Sequence, residues 1–155
     1  MGGNGSYSKE MGGVPDVART HIDTNHRVEG HKVLLWGNNV EHNKVIMNSN
    51  SENPIYLFAS VEGKSGKIII SGISVYEKHL LTETIDLMFD TNGNIIPFNK
   101  TGKSSHSHKW KEVEPGKIGR KSHDGDNRFP IEDKYIHLID KIVEFNKKGI
   151  VWNTE

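Results

Sequence analysis

The chain has no cysteine. That one absence excludes disulfides, thiolate metal ligands and thiol nucleophiles together. No apolar run approaches the roughly 18 residues that a membrane-spanning helix needs, so no membrane partner is expected. The opening MGGNGSYSKEMGG lacks the apolar stretch of a secretory leader. Net charge is missing as well: 20 basic side chains balance 20 acidic ones. The chain as a whole is therefore not drawn electrostatically to nucleic acid or lipid. Apolar residues are scarce, at 34%, and the polar excess is uneven along the 155 residues. That length fits one domain able to bury about two-thirds of its unfolded surface.

What the chain has in excess is histidine, nine in all. With ordinary values near about 6.5, these side chains would turn the balance positive in mild acid.

Five glycines among the first thirteen residues mark 1–14 as a flexible lead, with a single domain over 15–155. Residues 15–31 are polar and read as a short helix or irregular arm opened by Pro15. KVLLW at 32–36 reads as a strand. Asn38 or Asn39 would cap a short helix running to Asn48. IYLFASV at 55–61 and KIIISGISVYE at 67–77 are strands, the second bent at Gly72. TETIDLMF at 82–89 and NIIPF at 94–98 form a hairpin around Asp90-Thr91-Asn92-Gly93. Residues 99–128 lose the apolar pattern and read as a long irregular segment. The last element is a helix. Its apolar stripe is Ile131, Tyr135, Leu138, Ile139, Ile142 and Phe145, with Pro130 in the first turn and Gly149 as C-cap. The expected fold is α+β: an antiparallel sheet of about five strands with the C-terminal helix packed on one face.

Several motifs are ruled down. Gly63-Lys64-Ser65 and Gly102-Lys103-Ser104 lack the earlier glycine of a phosphate-binding loop, which would fall at Phe58 and Pro97. No G-x-S-x-G elbow occurs. Asp124-Gly125-Asp126-Asn127 starts like a calcium loop, but the distal bidentate ligand would be Tyr135.

Six of the histidines fall in three places: His21, His26 and His31; His106-Ser107-His108; and His123. His106 and His108, two apart, share one face of any strand they occupy and are close enough there to share a metal. Their segment also offers acid–base chemistry without metal. Cleavage of RNA by its ribose 2′-hydroxyl needs a base, an acid and a cation, and two histidines with a lysine or arginine supply all three. The candidate catalytic residues are His106, His108, His123, Lys121 and Ser122. Arg120, Lys109 and Trp110 would bind substrate, Trp110 by stacking on a base. Arg19, His21 and His26 would add phosphate contacts if the two histidine segments meet. A run of lysines and arginines from Lys100 to Lys121 makes this region locally cationic.

Gly5-Ser6-Tyr7-Ser8-Lys9-Glu10-Met11-Gly12-Gly13-Val14-Pro15, then Arg19-Thr20-His21 and His26-Arg27-Val28-Glu29-Gly30-His31, resembles the C-terminal effector regions of phage minor head proteins and bacterial polymorphic toxins. Within that group the element order is similar to the barnase–EndoU–colicin–RelE-like nucleases. The resemblance implies RNA cleavage without metal or other cofactor, a bacterial cytoplasmic or phage-associated location, and a cognate immunity protein as partner. Two other functions fit the residues: a non-enzymatic phage accessory domain that binds a protein partner, and a small hydrolase with a histidine-ligated metal.

Overall fold

The computed structural model describes residues 20–37, 55–77, 80–100, 103–114, 117–120 and 128–152. Strands β1 (Thr20–Val28), β2 (His31–Gly37), β3 (Ile55–Val61), β4 (Ile68–Glu77), β5 (Leu80–Asp86) and β6 (His106–Glu114) lie side by side in chain order, and the short β7 (Lys117–Arg120) extends the sheet beyond β6. All neighbours are antiparallel except β2 and β3, which run parallel with Val33 opposite Leu57. The helix expected over 39–48 lies outside the described residues. The α+β arrangement is as expected, with six principal strands rather than five.

Two segments differ from their sequence reading. Residues 20–28 form a strand, the end one of the sheet among the described residues, rather than a helix or arm. Their period-2 pattern is hidden because Thr24, Asn25 and His26 bulge between Asp23 and Arg27, with Asn25 at φ 66°. The Thr24 hydroxyl donates to the Val33 carbonyl at 2.7 Å and holds the bulge to β2. Glu29 and Gly30 turn the chain back, both with positive φ, as a two-residue hairpin turn requires. The second segment is 99–128, which contains β6 and β7 and is not simply irregular. HSHKWKEVE shows no apolar alternation because β6 places polar side chains on both faces. NIIPF, by contrast, makes only a single bridge, Phe89 to Ile95.

Helix α1 (Ile136–Lys148) follows a single 3-10 turn, Asp133–Tyr135. Pro130 thus precedes the helix instead of occupying its first turn. Gly149 ends it at φ 68°, with Lys147 and Lys148 in the last turn facing the helix dipole's negative end. The expected stripe of Tyr135, Leu138, Ile139, Ile142 and Phe145 is buried against Leu57, Ile70, Ile73 and Ile85. Each fully buried aliphatic side chain here contributes about 1.5–3 kcal/mol. The opposite sheet face carries a smaller cluster of Leu34, Tyr56, Phe58 and Tyr76. Among the described residues no helix is long and apolar enough to cross a membrane.

β4 is longer than its partner on the β5 side. Their pairing starts at Gly72–Asp86, beyond which the Leu87 N–H still donates to the Ser71 carbonyl at 2.9 Å, so residues 68–70 project past β5. The helix and the following residues complete that edge. The Asn146 amide accepts from the Ile70 N–H at 2.8 Å and donates to the Ile70 carbonyl at 3.0 Å. Ile68 N–H donates to the Ile150 carbonyl and Trp152 N–H to the Gly66 carbonyl, each at 2.8 Å. Asn146→Leu preserves volume but strands both polar groups of Ile70. It is expected to lower unfolding free energy by about 3 kcal/mol in urea titration.

Candidate functional site

Side chains alternate across a sheet, so the cross-strand pairs define two faces. Asp86 stands opposite His106 and Thr84 opposite His108. Continuing across β4 and β3, Gly72 and Phe58 prolong the first row, and Ser74 and Tyr56 the second. These side chains share the face away from α1. The intervening Glu83, Ile85, Ser107 and Lys109 point to the helix side.

His106 Nδ1 lies 2.7 Å from the Ser104 carbonyl. A carbonyl only accepts, so Nδ1 carries the proton and Nε2 of the neutral ring presents a lone pair. That Nε2 is 3.1 Å from His108 Nε2 and 3.3 Å from Asp86 Oδ2, and His108 Nε2 is 3.2 Å from the same oxygen. The two rings meet edge to face, with centroids 4.7 Å apart. The histidine side chains are only 11% and 8% exposed, whereas Asp86 is 52% exposed and opens the cluster to solvent.

A second layer holds the first. Ser104 is fully buried, and its hydroxyl accepts from Arg128 Nη2 at 3.0 Å. Arg128 also donates to the Lys100 carbonyl. Ser105 ties the approach to β6 down through Met88 N–H, 2.9 Å from its hydroxyl. Trp110, next along the same face of β6, donates its indole N–H to Thr84 Oγ1 at 3.0 Å.

Of the residues singled out from sequence, His106, His108 and Trp110 share this face. Lys109 is turned to the other side. His26 lies on β1, its ring edge to face with Phe145. Four strands separate β1 from β6, roughly 24 Å at the usual strand spacing, so His26 does not meet His106 or His108. His21 and Arg120 belong to β1 and β7 by their backbone. Arg19, Lys121, Ser122 and His123 lie outside the described residues. The described residues flanking the last three are both paired to β6, Arg120 with Trp110 and Phe129 with Ser107. Asp86 was missed. Its one signal is the run Thr82, Thr84, Asp86, the polar half of an alternating strand.

The reverse side of β6 is an ion-pair network. Glu83, 6% exposed, accepts from Ser107 Oγ at 2.5 Å, Lys109 Nζ at 2.8 Å and the Tyr135 hydroxyl at 3.1 Å. Lys109 also donates to Glu132 at 2.7 Å. Burial alone would lower the Lys109 value, but hydrogen bonds and charge from Glu132 and Glu83 outweigh it and hold the ammonium above 10.5. The hydrogen bond from Lys109, then its charge, holds Glu132 below 4.5. Burial, followed by the Glu83 charge, raises the Tyr135 hydroxyl well above its ordinary value.

The sign of the pH dependence follows. Glu132 is depressed, so its contribution is present above its unfolded value and lost as pH falls through the lower folded one. In wild type, therefore, the urea midpoint should fall more steeply across roughly pH 5 to 3 than in Glu132→Gln. Glu83→Ala removes the buried acceptor of the Ser107 and Tyr135 hydroxyls and one of the two carboxylates paired with Lys109, and should cost about 3 kcal/mol by the same measurement at neutral pH.

No family model, curated protein or solved structure matches the chain.

Proposed function

We propose that the chain is a small hydrolase acting on phosphodiester bonds, RNA first among them, with Asp86, His106 and His108 as its reactive centre. The observation that carries this reading is the 2.7 Å contact between His106 Nδ1 and the Ser104 carbonyl. The carbonyl accepts a hydrogen bond from Nδ1–H, so the Nε2 lone pair faces a second imidazole and a carboxylate within 3.3 Å. Such a nitrogen can accept the proton of an attacking water or ribose hydroxyl. Trp110 on the same face offers a stacking surface for a base, and lysines at 100 and 103 and Arg128 lie in the segments that lead into the site. The effector role and the cognate immunity protein rest on the resemblance of residues 5–31.

The geometry bears on how the two histidines divide the work. An acid and a base on opposite sides of a phosphorane must each reach a different oxygen through its own hydrogen bond of about 2.8 Å. His106 and His108 nitrogens 3.1 Å apart leave no room for that between them. They act from one side as a unit, and the acid for the leaving oxygen comes from another group.

The test is cleavage of total RNA by the purified chain, followed on gels with and without EDTA. His106→Ala and His108→Ala are each expected to reduce the rate by at least about 100-fold, and Asp86→Asn to reduce it as well. His137→Ala, an exposed residue paired with Glu29, should leave it unchanged. Absence of cleavage under both conditions, or equal cleavage by all four variants, would sink the proposal.

A further inference from the structure

We infer that Asp86 Oδ2, His106 Nε2 and His108 Nε2 form a binding site for one divalent transition-metal ion of the zinc, manganese or iron(II) kind. The inference uses the same three residues as the hydrolase reading but does not require that reading to be right.

The three ligand atoms form a triangle with edges of 3.1, 3.2 and 3.3 Å. An ion about 2.0–2.1 Å from each of three tetrahedral ligands requires edges of roughly 3.3–3.4 Å, and octahedral geometry slightly less. The triangle already has that size, so binding asks for shifts of a few tenths of an ångström at most.

Three lone-pair atoms face one another along three edges. His106 Nε2 carries no proton while its Nδ1 donates to Ser104. At most one proton, on His108 Nε2, is then shared among the three edges in the neutral state. A cation at the centre satisfies all three at once. The Nδ1–H bond to a backbone carbonyl is also the arrangement that orients a metal-bound imidazole.

Two imidazoles and one carboxylate suit transition ions better than calcium or magnesium, which prefer oxygen. All three ligands stand on neighbouring hydrogen-bonded strands, so the site is pre-organised. Among the described residues three side chains reach the site, which leaves at least one coordination position free, and the exposed Asp86 side is where it opens. This is the pattern of a reactive rather than a structural centre. When bound, such an ion would occupy the lone pair of His106 Nε2, so the proton acceptor would be a water activated at its open position instead of the imidazole.

The experiment is calorimetric titration of the full chain, stripped with EDTA and dialysed, with Zn²⁺, Mn²⁺ and Co²⁺ salts. A thermal melt and the Co²⁺ absorption spectrum are recorded alongside. One equivalent should bind and raise the melting temperature of wild type and His137→Ala. His106→Ala and Asp86→Asn should weaken binding by more than about 100-fold, beyond what loss of an outer-shell partner costs. If His106→Ala does not fold, Asp86→Asn decides, because its side chain is half exposed. No saturable binding, or binding by Asp86→Asn equal to wild type, overturns the site. Binding without RNA cleavage upholds the site and removes the hydrolase reading. Cleavage that survives EDTA, is lost in His106→Ala and occurs with no bound ion does the reverse.

Discussion

A strand that enters a sheet must have both of its faces accommodated, and β6 enters with polar side chains on both. His106 and His108 are buried on one face, Ser107 on the other, and Lys109 is half buried beside it. Desolvating such groups without partners would cost several kcal/mol. β5 is what makes the strand tolerable. Its own alternation sets Asp86 and Thr84 against the histidines and Trp110, and Glu83 against Ser107 and Lys109. The candidate centre and the ion-pair network are thus two outcomes of one requirement, met on opposite sides of the same pair of strands.

The network on the helix side gives the centre its rigidity. Tyr135, at the entrance to α1, reaches Glu83, while Lys109 reaches forward to Glu132. β6 is therefore fastened to the start of the helix as well as to β5. On the far face, Ser104 and Arg128 hold the residue that leads into the strand. His106 can neither rotate nor change tautomer without disturbing a buried carbonyl. Gly72 contributes by omission. It stands between Phe58 and Asp86 in their row, so no side chain intervenes between the carboxylate and the aromatic cluster.

The parts of the fold held by apolar periodicity were legible in the sequence. Examples are the α1 stripe, the β3 and β4 runs and the glycine that stops the helix. The parts held by polar pairing were not. β6 carries its alternation in residue chemistry rather than hydropathy, with His, His and Trp on one side and Ser and Lys on the other. β1 has a bulge that breaks its period after Asp23. At the site, His106 and His108 were legible from their spacing of two, and Trp110 from the next step on the same face. Asp86 was not, because its partnership depends on the register between β5 and β6, which no local pattern encodes. Lys109 looked like part of the cationic segment, yet parity along the strand sends it to the other face.

The dependence of β4 on Asn146 has a kinetic side. Ile70 and Asn146 are 76 residues apart, and the bonds from Ile68 and Gly66 to residues 150 and 152 are longer in reach still. During synthesis the central strand of this sheet emerges well before the groups that complete its outer edge. Until then, its residues 68–70 carry unpaired peptide groups on that side, beside an apolar surface, the kind of exposed edge on which neighbouring chains pair. Contacts so distant in sequence also slow the search for the native arrangement. Closing the domain is therefore the task of its last helix, and the nascent chain is most vulnerable to aggregation in the interval before that helix docks.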